Sequence, residues 1–373
     1  TPYRRFFVAA PGGSKNVSFS DFKMSLVQKI QFSAEMVYSF KSRKKLSEMI
    51  SETKPDVALF LNGVHFTDSI VDACYEHGLP IIWRLSDFHK ICANYLLFRD
   101  GKICVECIER GIYRTLWNRC GGYQRSLPVS LIKYAGMKLS RIRNTYNHIN
   151  YYVVPSLFTK EKMIQGGFPQ DQIIHIPTFI HFPKDVQLST NISKDILYVG
   201  RISPEKGVDV LIKAFIKLKC NDAKLLIAGG IKSDYAQGLM TSLPDKIKHR
   251  IEFLGFRSRE EVMTLFSQCA MFIVPSIWYE NQPNTVLEGM ALGKPAIVSK
   301  CGSLIELVTH GETGYHFETG NPDDLAAKMD MIIQAPEKGV QMGQNAMQYV
   351  KTYHSRETHL EKLNELFDRC TAA

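Results

Sequence analysis

Seven residues separate Glu280 from Glu288, and a helix signal, Asn284-Thr285-Val286-Leu287, begins between them. The unpaired N–H groups of a helix start bind phosphate, helped by about half a positive charge from the helix dipole. A carboxylate accepts hydrogen bonds from two vicinal hydroxyls. Two carboxylates around a phosphate site therefore suit a ribose on one side and a hexose on the other. A capping loop with solvent-facing glutamates has the same pattern, and the spacing alone does not choose. A second cluster lies upstream, in Ile196-Leu197-Tyr198-Val199-Gly200-Arg201-Ile202-Ser203-Pro204-Glu205-Lys206-Gly207. An apolar strand runs into Gly200, Arg201 and a Pro-containing turn, and a helix pattern follows over 208–215. Arg201 and Lys206 thus meet where a strand's carboxyl end faces a helix start, which suits a diphosphate. Two ordinary surface cations in a loop are the plainer alternative.

Parallel strands are needed to position these groups. Short apolar runs at 56–61, 80–85, 151–154, 173–176, 196–199, 224–228, 251–254, 271–274 and 296–299 alternate with amphipathic stretches. Continuous apolar strands between helices imply parallel sheets covered on both faces. The spacing of Phe22, Leu26, Ile30, Val37 and Phe40 predicts one long helix over 22–50. A shorter helix passes through Val71, Ala73 and Cys74, and a final one is expected over 346–367. The polar, turn-rich stretch 179–191 marks the expected domain joint. The chain reads as an N-terminal domain over 1–185, a C-terminal domain over 186–350, and a terminal helix, 351–373, that packs back toward the first domain.

The 373 residues exceed what one core usually supports, about 250–300 residues. No run of about 18 uncharged apolar residues occurs, so no membrane-spanning helix is expected. The start, Thr1-Pro2-Tyr3, has neither Met nor a signal-peptide pattern and reads as trimmed. Net charge is +9, and it is uneven: residues 1–190 hold 25 Lys and Arg against 15 Asp and Glu. A basic half points to a polyanionic partner, such as a membrane surface, a phosphorylated lipid or a nucleic acid. A basic surface that serves only solubility is the alternative. No nucleic-acid motif accompanies the charge, so a nucleic-acid partner is not expected. Nine cysteines, odd in number and scattered, fit a reducing cytoplasm.

Several motifs in the second half share one order and spacing. They are Gly200-Arg201 with Glu205-Lys206-Gly207, Ala228-Gly229-Gly230, Phe253-Leu254-Gly255-Phe256, Glu280-x7-Glu288 with Gly289-Met290-Ala291, and Gly311-Glu312-Thr313-Gly314-Tyr315. Together they resemble the retaining GT-B glycosyltransferases of family 4. The resemblance implies an α/β fold with two Rossmann-like domains whose parallel sheets face each other across a cleft. It implies that Arg201 and Lys206 neutralise a donor diphosphate as the glycosidic bond breaks. Glu280 would hold hydroxyls of the transferred sugar and Glu288 those of the ribose. Gly200 and the amides of Asn284, Thr285 and Val286 would lie at the phosphates, and Gly255, Phe256 and Arg257 would border the base. The implied donor is a UDP- or GDP-sugar, with no cofactor and no metal, and no Asp-x-Asp motif suggests a cation site. Relatives carry a Gly-rich loop after the first Glu, where this chain has Asn281-Gln282-Pro283, so the sugar stays open. Retention in this fold proceeds by same-face attack, the leaving phosphate taking the acceptor's proton, so no carboxylate nucleophile is required, unlike in retaining glycosidases.

The first half resembles, more narrowly, a bacterial branch that builds surface polysaccharides. The residues concerned are Lys54-Pro55-Asp56-Val57, Leu85-Ser86-Asp87-Phe88-His89-Lys90-Ile91-Cys92, Asn94-Tyr95-Leu96-Leu97, Gly101-Lys102, Cys104-Val105-Glu106-Cys107 and Cys120. The implied acceptor is a glycan or a polyprenyl-diphosphate-linked saccharide at the cytoplasmic membrane face, with the protein peripheral there. Relatives have His-Asp where this chain has Ser86-Asp87, so that histidine's role does not transfer. Asp87 is read as orienting the acceptor, with Ser86, His89 and Tyr95 on the acceptor side; a mere cap of the next segment is the alternative. One N-terminal βαβ unit is expected to be absent, with residues 5–10 and Pro11-Gly12-Gly13 as its remnant.

Two features stay open. Cys92, Cys104, Cys107 and Cys120 contain a Cys-x2-Cys core and are compatible with a packed thiol loop, a four-thiolate zinc site or disulfides. A helix over 129–146 carries an apolar stripe of Leu131, Ala135, Leu139, Ile142 and Tyr146, with Lys133, Lys138, Arg141 and Arg143 around it. Such a helix either rests on an anionic bilayer or buries its stripe in the core. A glycosyltransferase is the leading reading. A nucleotide-sugar epimerase of the same fold and a catalytically degenerate nucleotide-sugar-binding subunit are the alternatives.

Overall fold

The structure is a computed structural model and describes residues 25–61, 66–121, 125–182 and 193–372. The N-terminal half begins with α1 (Leu26–Val37), α2 (Phe40–Thr53), β1 (Ala58–Phe60), α3 (Ser69–Glu76) and β2 (Ile81–Arg84). A small hairpin follows, β3 (Phe98–Arg99) and β4 (Lys102–Ile103), then α4 (Glu106–Glu109), α5 (Arg114–Trp117) and α6 (Leu127–Ile142). The half closes with β5 (Tyr151–Val154), α7 (Leu157–Gln165) and β6 (Ile173–His175). Its main sheet has the order β1-β2-β5-β6, all parallel.

The second half starts with β7 (Ile196–Val199), α8 (Val208–Ile216), β8 (Leu225–Ala228), α9 (Asp234–Thr241), α10 (Asp245–Lys248), β9 (Ile251–Gly255) and α11 (Arg259–Gln268). It continues with β10 (Met271–Val274), α12 (Asn284–Ala291), β11 (Ala296–Ser299), α13 (Leu304–Leu307) and β12 (Gly314–Phe317). Three helices end the chain: α14 (Pro322–Gln334), α15 (Pro336–Tyr353) and α16 (Arg356–Thr371). The sheet order is β12-β11-β10-β7-β8-β9, again parallel. The strand order reverses between β7 and β10, and the crevice outside the carboxyl ends at such a switch point is where open α/β sheets bind ligands. Both faces are covered, with Phe215 of α8 and Met329 of α14 on one side and Leu287 of α12 and Val350 of α15 on the other. This double cover is why β10 and β11 are apolar at nearly every position and wholly buried.

The chain returns to its first half at the end. Leu366 and Cys370 of α16 pack on Ile82, Val153 and Ile176 of the N-terminal half. The seam is also hydrogen-bonded: Nδ1–H of His354 donates to the Thr178 carbonyl (2.8 Å), and Nδ1–H of His359 to the Pro177 carbonyl (2.7 Å). Among the described residues no helix is long and apolar enough to cross a membrane.

Several expected elements differ. The helix expected over 22–50 is two, because Tyr38 and Ser39 are extended and the Ser39 hydroxyl caps α2 by accepting Ser42 N–H at 3.1 Å. The helix expected over 346–367 also breaks, at His354, and restarts on the Ser355 cap. The helix expected over 129–146 ends at Ile142, since Asn144 is left-handed (φ 55°) and Tyr146 falls in a separate short turn. Its stripe divides accordingly: Leu131 and Ile142 are exposed, Tyr146 is buried, and α6 buries Ser130, Met137 and Ser140 instead. The β3–β4 hairpin had a readable signal in Asp100-Gly101, both with positive φ, which matches the twist of a two-residue turn. The expected N-terminal remnant and residues 183–191 of the expected joint lie outside the described residues.

Burial holds His354 and His359 below the usual histidine value, outweighing the carbonyls that favour their protonated form. A depressed folded value means that the neutral rings contribute stability above about pH 6.5 and lose it as pH falls through the folded value. The melting temperature is therefore expected to drop between about pH 7.5 and pH 5.5, and to drop less in a His354→Gln/His359→Gln variant. Equal drops in the two proteins would refute the assignment.

Candidate active site

The loops after β7 and β10 interlock, and this interlocking builds the site. Ile277 N–H donates to the Glu205 carbonyl at 2.9 Å. Gly207 has φ 66°, and a Cβ there would sit 2.0 Å from the Pro275 carbonyl oxygen. Only glycine lets the turn Pro204–Lys206 lie this close to the β10 loop. Lys206 Nζ then reaches Glu280 Oε1 at 2.6 Å, and the same oxygen accepts from Ser276 Oγ (2.6 Å) and Trp278 Nε1 (2.9 Å). The ammonium also lies 5.0 Å from the centre of the Trp278 ring. Glu280 is only 6% exposed, and three donors on one oxygen offset the cost of burying its charge. No hydrogen bond from the described residues reaches Oε2, and Glu280 lines an open cleft.

That cleft has a volume of about 430 Å³ and lies between the two halves. Arg201, Glu280 and Asn284 line it from the C-terminal side, and Ser86, Asp87 and Tyr95 from the other. Motif spacing and the family resemblance together put all six forward as site residues. Lys206 joins them through Glu280. Arg201 is mostly exposed and lies 3.3 Å from Glu205 Oε1, which Ser203 also holds. Helix α12 starts at Asn284 without a side-chain cap. Val286 N–H is taken by the Pro283 carbonyl at 3.1 Å, so the amides left without an acceptor among the described residues are those of Asn284 and Thr285. Gly200, next to Arg201, gives its N–H to the Ala228 carbonyl at 3.0 Å.

Other expected site residues do not line this cleft. Gly255, Phe256 and Arg257 follow β9, which is the edge strand, three places from β10. Phe256 is 87% exposed there, and Arg257 is held by Glu261 at 2.9 Å. Glu288 sits half-buried on α12, and burial raises its carboxyl above the ordinary value. His89 is also off the lining. Its Nδ1 and its backbone N–H both meet Asp87 Oδ1 (2.5 and 2.9 Å), so Asp87 closes a local turn as well as lining the cleft. The segment is anchored by Lys90, which pairs with Asp68 at 2.5 Å beneath the Trp83 ring.

Arg84, at the end of β2, lines the cleft and was missed. Its Nη2 donates to Thr178 Oγ1 at 2.7 Å and Nη1 to Ser86 Oγ at 3.4 Å, with no carboxylate partner among the described residues. Burial pulls its guanidinium below the ordinary value. The readable signal was an arginine closing an otherwise apolar strand. Asn281 and Gln282 line the cleft from the loop after β10. Gln282 Oε1 accepts Thr178 N–H at 2.6 Å, and Asn281 contacts the Leu85 carbonyl at 3.4 Å and the Thr159 hydroxyl. Nearby, Glu306 accepts the amides of Leu157 (2.8 Å) and Phe158.

Cys92, Cys104, Cys107 and Cys120 are free thiols. Burial pushes Cys92 up to about 12 and Cys120 up to about 11. Among the described residues no group of three or more His, Cys, Asp or Glu is arranged to hold a metal ion, so neither the zinc nor the disulfide alternative finds support.

Residues 184–349 match the family described as "Glycosyl transferases group 1". The chain carries a glycosyl transferases group 1 domain. Part of the chain is similar to an uncharacterised glycosyltransferase of Methanocaldococcus jannaschii, 35% identical over 242 residues, covering 62% of this chain and 61% of that one. It is also 28% identical over 233 residues to the lipopolysaccharide 1,2-N-acetylglucosaminetransferase of Salmonella typhimurium, covering 57% and 60%. The matched stretches span less than two thirds of these relatives' own length. Among solved structures, HepE of Anabaena in complex with UDP aligns with a TM-score of 0.65 at 18% identity, covering 87% of this chain and 82% of that one. At that identity the likeness speaks to fold, and the fold is GT-B. The Lys206–Glu280 pair, Arg201 and the start of α12 all lie within the group 1 domain.

Gly207→Ala is expected to cost at least about 2 kcal/mol, from left-handed strain plus the clash with Pro275. Gly230→Ala, whose Cβ would meet nothing within 4 Å, is expected to stay within about 0.5 kcal/mol. Chemical denaturation of both variants checks this, and comparable losses would contradict it.

Proposed function

We propose that the protein is a retaining, metal-independent glycosyltransferase that moves a hexose from a UDP- or GDP-sugar to a glycan or lipid-linked saccharide in surface-polysaccharide synthesis. One observation carries the reading. Glu280, whose side-chain hydrogen bonds among the described residues all go to Oε1, lines one cleft with Arg201 and the start of α12, and with Arg84 and Asp87 of the other half. The match to a group 1 domain supports the same reading.

In this proposal the donor diphosphate lies at Arg201, Lys206 and the amides of Asn284 and Thr285. Cleavage of the bond from anomeric carbon to phosphate oxygen builds negative charge there, and fixed cations and amides stabilise it without reorganising. Glu280 Oε2 accepts hydroxyls of the transferred sugar. Its own charge is balanced by Lys206, so one ion pair serves both the sugar and the leaving group. Glu288 lies one helical turn beyond Asn284 on the same face of α12, where a ribose extending from the cleft would reach it. The acceptor hydroxyl attacks on the face the diphosphate leaves and passes its proton to the departing phosphate oxygen, while Asp87 orients it. Arg84, a cation without a carboxylate partner among the described residues, suits an acceptor that carries an anionic group. The basic first half and the exposed Leu131 and Ile142 of α6 support a peripheral position on an anionic cytoplasmic membrane face.

Mass spectrometry of donor consumption across a panel of nucleotide-sugars, with a polyprenyl-diphosphate-linked acceptor, tests this directly. Lys206→Ala and Glu280→Gln are each expected to lower kcat by about 10²–10³. Normal turnover in either variant would reject the site. Arg84→Gln is expected to raise KM for the acceptor with KM for the donor unchanged; the reverse result would move Arg84 to the donor side.

A further inference from the structure

A second cavity, of about 460 Å³, opens in the N-terminal half and shares no lining residue with the cleft. Three of its residues, Tyr134, Lys138 and Arg141, follow the i, i+4, i+7 spacing that aligns side chains along one face of α6. Tyr113, before α5, and Gln165, at the end of α7, contribute other walls. Three other cations on or beside α5 and α6 have partners: Arg114 with Glu106, Arg143 with Asp72, and Lys133 with the Ala93 carbonyl. Lys138 and Arg141 have no carboxylate or hydrogen-bond partner among the described residues, and Arg141 Nη1 is buried without one. The hydroxyls of Tyr113 and Tyr134 also lack partners among those residues. Gln165 is occupied by Glu161 and Lys162. Helices α6 and α7 both end beside the cavity, and their dipoles favour cations there, but no carbonyl reaches Arg141 Nη1. A buried donor left unpaired is costly, and an anion with several acceptor oxygens removes that cost.

We propose that this cavity is a phosphate-binding site, in which Arg141 and Lys138 hold the phosphate charge and the two tyrosines donate to its oxygens. The ligand is a phosphate group, free or borne on a lipid headgroup. The exposed Leu131 and Ile142 on the same helix, and Trp117 on α5, at 75% exposure, are apolar neighbours suited to the lipid-borne form.

The test uses the full chain and two probes. Inorganic phosphate is expected to raise the melting temperature of the wild-type protein and of the cleft variant Lys206→Ala alike. Lys138→Ala and Arg141→Gln are each expected to need roughly tenfold more phosphate for the same shift. Lys138 is exposed, so its variant carries the test should Arg141→Gln fail to fold. Vesicles of phosphatidylcholine with phosphatidylglycerol form the second probe. As a control, Lys41→Ala/Lys44→Ala removes two exposed charges elsewhere in the same half. Vesicle binding lost in Lys138→Ala but kept in the control identifies a lipid headgroup, while a phosphate shift with no vesicle difference identifies free phosphate; either supports the site. If Lys138→Ala matches the wild type with both probes, or if the phosphate shift disappears in Lys206→Ala, the proposal is overturned.

Discussion

A carboxylate buried at the base of a cleft must be compensated, and much of this site follows from how Glu280 is. Lys206, Ser276 and Trp278 all donate to Oε1. They come from two loops separated in sequence by α8, β8, α9, α10, β9, α11 and β10, and those loops meet only because β7 and β10 are neighbours. The compensation is one-sided: among the described residues no donor reaches Oε2. An ion pair of this kind is weak evidence for stability, because desolvation takes back much of the Coulomb gain. Its consequence here is orientation: Lys206 is held beside Arg201 and the start of α12 rather than free to point into solvent.

Side chains, not only backbone packing, join the halves. Gln282 holds the Thr178 amide, Asn281 reaches Leu85 and Thr159, and Glu306 takes two amides at the start of α7. Asn281 and Gln282 are partly buried where they line the cleft, and their ties satisfy polar groups there. Asn281 and Gln282 stand where the donor sugar is expected, so the residues nearest the sugar also set the spacing between the halves. The terminal helix α16 adds an apolar contact on the far side of the N-terminal sheet.

Cations divide into two sorts. Some, such as Arg43, Arg114 and Arg143, are paired with nearby carboxylates, and others are exposed. Arg84 in the cleft and Arg141 in the second cavity are set into partly buried places with no carboxylate among the described residues to balance them. Desolvated, uncompensated guanidinium groups are expensive in a folded chain. Two of them in the half that carries the charge excess point to anionic ligands rather than to solubility alone.

The sequence by itself determined nine of the twelve strands, all but β12 and the β3–β4 hairpin, as well as the joint order of Gly200-Arg201, Lys206-Gly207, Glu280 and Glu288, and the helix start at Asn284. These are local matters: apolar runs, a positive-φ glycine and a helix beginning are written in neighbouring residues. It also carried, unread, the Asp100-Gly101 hairpin and the arginine that ends β2. Where helices break was less legible, because Ser39, Asn144 and Ser355 interrupt apolar periodicity that continues across them. Tertiary structure alone decided which charges meet. That Lys206 pairs with Glu280, that the strand ending at Gly255 lies at the sheet edge away from the cleft, and that Arg84 and Arg141 lack carboxylate partners among the described residues all depend on strand order and on contacts between distant segments. Spacing along a chain does not encode those contacts, because side-chain pairing is set by distances in the folded molecule.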